Sequence, residues 1–454
     1  MELDEKRWTV YYDSKLIYFF YFVQQDLYMK IVSNGKVFYK EKILENVVDY
    51  SIAIDGERKL IHLVAILLSG DLKYCIYKDN QWDWRYLSKY DSKTYRFKNL
   101  MLFITNQNIH ILMAISNVAH PNLWILKHHY WDQKNWTNKK VCHIFTEKYD
   151  TPFQADMDQQ ENIHIVFRSL IHQKYQIFYC KHSSLYRIWN QPINISTSKT
   201  NHSHPFVFCD NQNKVHIAWC GFDKNDLAIY YLSNRKFDFL KNNWGDPLKL
   251  TQEGMNGIQP IIYQVDQNLK ILWKKNNHQF VVKNFNLTDE TWQDLKEIEV
   301  KNDSYHAIVS IIGKQYREYQ NVKIPTAYGI INDDEIFLIG LDHKDTHKEI
   351  VNNRISEKKE GDNIRNPCLQ EKNILKKEKT NIQPSLENFL KIMEELQNKQ
   401  AEMNTLLSHL QKEQESNKEK INELAHLSLE LNEMLRNNMY KRSFLEKIKK
   451  FFSD

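Results

Sequence analysis

The sequence predicts an all-β propeller followed by a long α-helical coiled coil. Three observations predict this architecture: an aromatic-rich composition, a short motif that recurs about every 50 residues, and a heptad pattern near the C-terminus. Aromatic residues make up 13% of the 454 residues, hydrophobic residues 42% and charged residues 26%. This balance is typical of a folded chain, and aromatic side chains suit the half-buried surface of a sheet.

Composition also excludes several classes of function. The net charge of +5 is small for this length and does not predict nucleic-acid binding. None of the six cysteines forms a CxxC pair, so no zinc site is predicted. The N-terminus is polar and no long apolar run follows, which predicts a cytoplasmic protein. With only 11 Gly and 9 Pro, the turns are expected to use Asn and Asp.

A five-residue core recurs along the first three quarters of the chain. Four copies carry a histidine, and the histidines lie 48, 54 and 52 residues apart: His62, His110, His164 and His216. Two weaker copies follow at Leu269–Trp273 and Ile324–Tyr328, and an early copy lies at Ile17–Tyr21. The pattern therefore predicts seven units.

The surroundings of the core repeat as well. A strand before it ends in an aspartate and a polar turn, as at Asp55, Asp158 and Asp210. A tryptophan opens a fourth run in five units: Trp82, Trp136, Trp189, Trp244 and Trp292. Four short strands per unit predict propeller blades over residues 1–342, because one such sheet cannot cover both its faces alone. Seven blades are predicted, with six as the alternative, since unit 7 shows no clear fourth strand.

The aspartate turn before an aromatic strand resembles sialidase-like and lectin-like bacterial propellers. The resemblance concerns the architecture of residues 8–342. The stricter Ser-x-Asp-x-Gly-x-x-Trp motif is absent, and Gln or Asn mostly stands where Gly is expected. The resemblance therefore implies a fold and does not imply a sialidase.

The repeated histidines and tryptophans have two interpretations. Histidines at equivalent positions could line a channel and bind a metal or an anion. Exact repetition favours instead a framework in which each histidine meets its turn aspartate. The tryptophans are likewise predicted to fill the space between sheets rather than to form sugar platforms. No catalytic residue, metal ligand or cofactor is therefore predicted.

An enzyme remains an alternative prediction, as a carbohydrate-active propeller. A sialidase-like site needs an arginine cluster, and Arg-Ile-Pro is replaced by Lys323-Ile324-Pro325. The propeller region holds seven arginines: Arg58, Arg85, Arg96, Arg168, Arg187, Arg235 and Arg317. No nucleophile elbow, zinc helix or P-loop motif is present. His128-His129 and His202-Ser203-His204 are predicted to be solvated loops or turns rather than metal ligands.

Composition changes after Asp342. Residues 343–383 are predicted to be a charged linker, 384–440 a coiled-coil helix and 441–454 a basic amphipathic tail helix. The predicted oligomerisation seam comprises Leu386, Phe389, Met393, Leu396, Met403, Leu407, Leu410, Ile421, Leu424 and Leu431. The alternative is a lone helix that folds back on the propeller.

These segments together predict a non-enzymatic binding or scaffold protein. The coiled coil would make a homo-oligomer that displays several propellers to a protein or glycan ligand. The tail could also contact a membrane surface, which makes a peripheral membrane tether a further alternative. The sequence does not name the ligand.

Overall fold

The computed structural model describes residues 7–342, apart from 14–15, 56–57, 106–107, 197–198, 224–225, 235–243, 253, 277–278, 301–305 and 333–334. The predicted linker, coiled coil and tail lie outside the described residues. The described residues belong to one compact unit, Met1–Lys358. The regular elements assigned in them are β-strands, and no helix in this part of the chain has the length and hydropathy of a membrane span.

The strands fall into seven consecutive groups that correspond to the repeats in the sequence. Unit 1 holds β1 (Arg7–Asp13), β2 (Leu16–Val23), β3 (Asp26–Ser33) and β4 (Lys36–Leu44). Unit 2 holds β5 (Val47–Asp55), β6 (Leu60–Leu67), β7 (Asp71–Lys78) and β8 (Gln81–Lys89). Unit 3 holds β9 (Tyr95–Ile104), β10 (Ile109–Asn117), β11 (Leu123–Trp131) and β12 (Trp136–Phe145).

The later units have shorter outer strands. Unit 4 holds β13 (Gln154–Met157), β14 (Ile163–Ile171), β15 (Lys174–Ser183), β16 (Ile188–Trp189) and β17 (Ile193–Asn194). Unit 5 holds β18 (His202–Cys209), β19 (Val215–Asp223), β20 (Asp226–Asn234) and β21 (Leu248–Lys249). Unit 6 holds β22 (Ile258–Val265), β23 (Asn268–Lys274), β24 (Gln279–Asn286), β25 (Thr291–Trp292) and β26 (Lys296–Glu299). Unit 7 holds β27 (His306–Ile312), β28 (Val322–Asn332) and β29 (Glu335–Leu338).

Each unit is an antiparallel meander, and the fold is an all-β propeller-like array. Units 2 to 5 form separate sheets, whereas units 1, 6 and 7 share a 12-stranded sheet. The first strands of units 2 to 6 pack on one another in order, from β5 to β22. The second strands of units 2 and 3 are covered on both faces, since seven of eight residues in β6 and seven of nine in β10 are buried. This burial explains why the recurring core is continuously apolar instead of alternating.

Unit 7 connects unit 6 with unit 1 through strand pairing. Its first strand, β27, pairs in parallel with β1 and also packs on β5. Its second strand, β28, pairs with the end of β22 through Gln264 and Val265. The unit has three strands in the described residues, as the sequence indicated, and it does not form a sheet of its own.

A lysine in β28 joins unit 7 to units 4 and 5. Lys323 Nζ donates to the carbonyl oxygens of Met157 at 3.1 Å and Cys209 at 2.7 Å. It also lies 2.7 Å from the carboxylate of Asp156. Burial is the largest influence and opposes the charged ammonium, but the charge and hydrogen bond of Asp156, together with the other nearby groups, outweigh it and raise the pKa of Lys323. The charged Lys323 therefore holds unit 7 to units 4 and 5.

The turns show how the chain manages with few glycines. Among the described residues, 18 that are not glycine have positive φ. Asn and Asp account for 7 of these and Gln for 4 more. The prediction that Asn and Asp make the turns is thus correct only in part, because Gln and several charged residues also adopt this conformation.

Candidate binding site

The repeated aspartate and histidine form a buried network with a tyrosine. In unit 4, His164 Nε2 lies 3.0 Å from Asp158 Oδ2 and His164 Nδ1 lies 2.7 Å from the hydroxyl of Tyr179. In unit 5 the same distances join His216 to Asp210 and to Tyr231. We call this arrangement the Asp–His–Tyr network. The tyrosine lies on the third strand, diagonal to the histidine on the second.

The charge states of Asp158 and His164 determine which atoms of the network carry a hydrogen. Burial alone would raise the pKa of Asp158, but hydrogen bonds from His164 and Asn162 outweigh it and the pKa is lowered. Burial lowers the pKa of His164 despite the nearby carboxylate. The pair is therefore a carboxylate and a neutral imidazole that donates from Nε2. His164 Nδ1 then accepts from the hydroxyl of Tyr179, and each polar group of the network has a partner.

The repeated tryptophan links one unit to the next. Trp244 of unit 5 stands edge-on to Tyr179 of unit 4, with ring centroids 4.9 Å apart and planes at 75°. Trp292 of unit 6 stands in the same way against Tyr231 of unit 5, at 4.9 Å and 88°. Edge-to-face packing is a favoured geometry for aromatic pairs. The tryptophan thus covers the network of the preceding unit.

Unit 2 has the same plan with one difference. His62 Nδ1 bonds the hydroxyl of Tyr74, and Trp136 of unit 3 packs on Tyr74 at 6.1 Å. His62 Nε2 is buried and has no hydrogen-bond partner among the described residues, which exclude the neighbouring turn 56–57. Asp55 accepts instead from the backbone N–H of Arg58.

In unit 3 a second histidine replaces the tyrosine. His110 Nδ1 lies 3.0 Å from His128 Nε2, and Trp189 Nε1 of unit 4 donates to His128 Nδ1 at 3.2 Å. His182 of unit 4 joins them, with its ring centroid 5.1 Å from that of His128. We call these three histidines the unit 3–4 histidine cluster. Within the described part of the chain, no group of three or more His, Cys, Asp or Glu is arranged to hold a metal ion.

Two histidine motifs lie elsewhere than the sequence predicted. His128 and His129 are in β11 and His202 is in β18, and these three side chains are only 3% to 5% exposed. The prediction of solvated loops or turns is therefore wrong for them, because these histidines lie at covered positions of their strands. Only His204 is exposed, at a positive φ within a bulged part of β18.

Arg168 lies in β14, and its guanidinium is held by its surroundings. Its guanidinium pairs with Asp150 and, at 3.4 Å, with Glu147. It also lies over the ring of Tyr175, 4.1 Å from the centroid. These contacts occupy the group that a sialidase-like site would need for a substrate carboxylate.

Unit 6 departs from the repeat at the network positions. By strand register, Lys270 stands where units 2 to 5 have the histidine, and Val282 stands where they have the tyrosine or His128. Unit 7 supplies no fourth strand and no tryptophan among its described residues. In the described part of the chain, the place that is filled at the four junctions from unit 2 to unit 6 is therefore open between units 6 and 7.

A cleft of about 410 Å³ occupies this place. We call it the unit 6 cleft. It is lined by Val265, Asp266, Asn268, Lys270, Val282, Asn284, Gln293, Lys296, Glu297, Ile298, Tyr319, Gly340 and Leu341. Most of these side chains are polar, in contrast to the aromatic groups at the other junctions.

The polar groups of the cleft are partly engaged with each other. Lys270 Nζ donates to the carbonyl oxygen of Gly340 at 3.2 Å, and Asn284 Nδ2 donates to Gln293 Oε1 at 3.0 Å. Asn284 Oδ1 is buried and has no hydrogen-bond partner among the described residues. A bound donor would satisfy this oxygen, which makes it a natural contact for a ligand.

Sequence reasoning missed the tyrosines and the cleft. Tyr179 and Tyr231 each lie 15 residues after their histidine, and Tyr74 lies 12 after His62. This recurrence could have shown the third member of the network. The departure at Lys270 is also visible in the sequence, because Lys270 stands where the four preceding copies have a histidine.

Comparisons with known proteins give structural resemblances alone. No protein-family model matches the chain, and no curated protein matches it. The BP39L lectin from Burkholderia pseudomallei has a TM-score of 0.47 at 12% identity, over 70% of this chain and 90% of that one. The polysaccharide lyase Uly1 has a TM-score of 0.42 at 8% identity, over 72% and 86%. A six-bladed lectin from Aleuria aurantia has 0.37 at 9%, over 65% and 95%.

These solved structures are lectins and a carbohydrate-active enzyme. The resemblance to lectin-like propellers inferred from the aspartate turns agrees with them as architecture. Their TM-scores lie below 0.5, so the functional conclusions below depend on the geometry of this chain.

Proposed function

We propose that this protein is a non-enzymatic binding protein that takes a protein or glycan ligand in the unit 6 cleft. One observation carries the proposal: the cleft lies at the junction where the repeated network is missing. At the other junctions from unit 2 onwards, a tryptophan covers a tyrosine or a histidine. A place left open by an otherwise regular repeat is a position where a ligand can enter.

The lining of the cleft suits a polar ligand. Carboxylate, ammonium and amide groups converge there from three strands of unit 6, and Tyr319 adds an aromatic wall from unit 7. Binding sites combine a concave shape with a few well-placed polar groups, and this cleft has both. Lys296 and Asp266 are exposed and able to meet charged or hydroxyl groups.

Two features favour binding over catalysis. A glycosidase needs a carboxylic acid whose pKa is raised so that it can donate a proton. Among the described residues, the carboxyl groups with a shifted pKa all have it lowered: Asp71, Asp91, Asp132, Asp158 and Asp210. Arg168 is held by two carboxylates, so it does not support a site for an acidic sugar.

The test compares full-length protein with a cleft variant. The variant combines Asp266→Asn with Lys296→Gln; Asn is chosen because Asp266 has a φ of 53° and Asn tolerates that conformation. The control combines Asp83→Asn with Lys78→Gln, whose side chains are 69% and 68% exposed on unit 2. On a glycan array and in pull-downs, ligands should be lost by the cleft variant and kept by the control. Equal loss or equal retention in both variants would contradict the proposal.

Strand pairing also bears on the number of blades. We infer six radial blades, with unit 7 acting as the closure that bridges units 6 and 1. The parallel pairing of β27 with β1 supports this count, because it adds unit 7 to the first sheet instead of leaving it as a seventh sheet.

Assembly through the heptad seam completes the proposal. The seam from Leu386 to Leu431 would join two or more copies and raise avidity for a repeated ligand. Sedimentation of the full-length chain tests this part. A multimer that becomes a monomer when Leu407 and Leu410 are both replaced by Asp is expected; a monomer before the substitution would contradict it.

A further inference from the structure

The outer strand of unit 2 carries an aromatic stripe on the side that faces unit 1. Trp82, Trp84 and Tyr86 alternate along β8 and therefore share one side of the strand. Trp82 and Trp84 pack, together with the buried Tyr77, against the core that units 1 and 2 share. Both indoles nevertheless stay partly exposed, and Tyr86 is 58% exposed. Trp84 is not part of the repeat, because Asn138 stands at the equivalent position of β12.

A carboxylate of unit 1 lies against this stripe. Trp82 Nε1 donates to Glu41 Oε1 at 2.8 Å, and the hydroxyl of Tyr39 donates to Glu41 Oε2 at 3.0 Å. The ring centroids of Tyr77 and Trp82 are 4.8 Å apart, and those of Trp82 and Trp84 are 6.1 Å apart. We call Tyr39, Glu41, Tyr77, Trp82 and Trp84 the Glu41 aromatic site.

The negative charge of Glu41 acts on the phenols around it. Burial, followed by the charge of Glu41, raises the pKa of Tyr77 to about 12. The hydrogen bond to Glu41, followed by its charge, raises the pKa of Tyr39. Glu41 therefore sets a negative potential among the aromatic rings of the site.

The charge of Glu41 has no ion-pair partner in the part of the chain that the structure describes. Its strand neighbours Lys40 and Lys42 point to the other side of β4, because side chains alternate along a strand. Lys40 Nζ lies over the ring of Tyr28, 5.6 Å from the centroid, and Lys42 pairs with Glu45 at 2.5 Å. A partly exposed negative charge among ring faces is an arrangement that attracts a cation from solution.

We propose that the Glu41 aromatic site binds an ammonium group that carries apolar substituents, of the trimethylammonium class. Ring faces attract a cation that lies within about 6 Å of a centroid, and the indole ring is the strongest of them. This site lies on units 1 and 2, away from the residues of the unit 6 cleft, so the inference does not depend on the proposed function.

The hydrogen bonds of the site decide between kinds of ammonium group. A bare ammonium is strongly hydrated and carries three N–H donors that need acceptors. Each oxygen of Glu41 already accepts a hydrogen bond, from Tyr39 or from Trp82. A trimethylammonium group has no N–H to satisfy, and its methyl groups suit ring faces. The site supplies the two things that such a group needs, an opposite charge and aromatic contact.

Choline is the probe, and its uncharged counterpart is the alcohol of the same shape in which carbon replaces the nitrogen. Binding of each to the full-length protein is measured by isothermal titration calorimetry. A short peptide with one trimethylated lysine is titrated as well, to distinguish a free ligand from a modified protein side chain.

Two variants of the site are compared with matched controls. Glu41→Gln removes the charge and keeps an acceptor for Trp82, and Tyr39→Leu removes a ring that is 41% exposed. The controls are Glu45→Gln, at a side chain that is 62% exposed, and Tyr149→Leu, at a residue that is 67% exposed. Thermal melting checks that each variant is folded.

The expected result is saturable binding of choline that is at least about 5-fold weaker for the uncharged alcohol and in both site variants, as loss of a cation–π contact predicts. Both controls should bind as the wild type does. Tighter binding of choline than of the peptide assigns a free ligand, and the reverse order assigns a protein side chain.

Equal affinity for choline and the uncharged alcohol would overturn the inference, and so would the absence of saturable binding of both cations. The cleft variant, Asp266→Asn with Lys296→Gln, should keep its affinity for choline. If that variant loses choline while Glu41→Gln keeps it, the cation is bound in the unit 6 cleft and the inference is wrong, whereas the proposed function stands.

Discussion

The indole of Trp244 stands edge-on against the ring of Tyr179, which belongs to the preceding unit, at a centroid distance of 4.9 Å. Tyr179 in turn bonds His164, and His164 bonds Asp158. One network therefore ties a turn, two strands and the next unit together. The propeller-like array repeats this connection, and the unit 6 cleft is the place where it stops.

Removing the hydroxyl of Tyr179 tests the network. Tyr179→Phe leaves His164 Nδ1 buried without its donor, and a buried acceptor without a partner costs about 1–3 kcal/mol. We expect the free energy of unfolding, measured in urea, to fall by that amount. Tyr149→Phe is the control, because Tyr149 is 67% exposed; it should change stability by less than about 0.5 kcal/mol. Equal effects of the two substitutions would show that the network contributes nothing.

The unit 3–4 histidine cluster predicts acid sensitivity. Burial, followed by the neighbouring His182, lowers the pKa of His110 to about 3, and burial, followed by Lys139, lowers that of His182 to about 4. The pKa of His128 is lowered by burial and by His110, His182, His129 and Lys139. His128 Nδ1 accepts from Trp189, so a proton on this nitrogen would remove the bond between units 3 and 4.

The direction of this effect follows from linkage. A histidine binds protons near pH 6.5 in the unfolded chain and only near pH 3 to 4 in the folded cluster. Its stabilisation is complete above about pH 6.5 and is lost as the pH falls towards 4. Thermal unfolding from pH 7.5 to 4.5 should show this loss, and His182→Gln should flatten it, whereas His120→Gln on an exposed turn should not. A pH profile that is the same in all three proteins would contradict the assignment.

The ion pair between Lys323 and Asp156 predicts that the attachment of unit 7 to units 4 and 5 depends on one charge. Lys323→Met leaves the buried carboxylate of Asp156 with its backbone donors but without its countercharge. Loss of one member of a fully buried ion pair costs about 3–5 kcal/mol, and this is the upper limit here because the Lys323 side chain is 28% exposed. We expect thermal unfolding at a markedly lower temperature. Adding Asp156→Asn should recover part of the loss, because the unpaired charge is then gone. No recovery in the double variant would show that the contacts of Lys323 with the backbone, and not its charge, hold unit 7.

Much of the fold could be predicted because each unit repeats the same local signals. The strand limits of unit 1 and the three strands of unit 7 follow from runs of β-branched and aromatic residues between polar turns. The pairing of β27 with β1 could not be predicted, because it joins residues 301 positions apart and leaves no local signal.

The candidate site was harder to predict than the fold. The aspartates and histidines could be read from the repeat, but Tyr179 lies on a different strand and its role depends on the diagonal register. The role of Lys270 and Val282 in the cleft can be recognised only when their strand positions are compared with those of His216 and Tyr231. The heptad seam and the basic tail lie outside the described residues and stay predictions.

The most direct test of the account fills the unit 6 cleft with the side chains that the repeat uses elsewhere. The double variant Lys270→His with Val282→Tyr is compared with Lys78→His and Val23→Tyr, two exposed positions, for melting temperature and for binding on the glycan array. The account predicts a variant that melts at the wild-type temperature or above and has lost binding at least about 10-fold, with the control unchanged. A folded double variant that binds as the wild type does would contradict the claim that the cleft is the binding site.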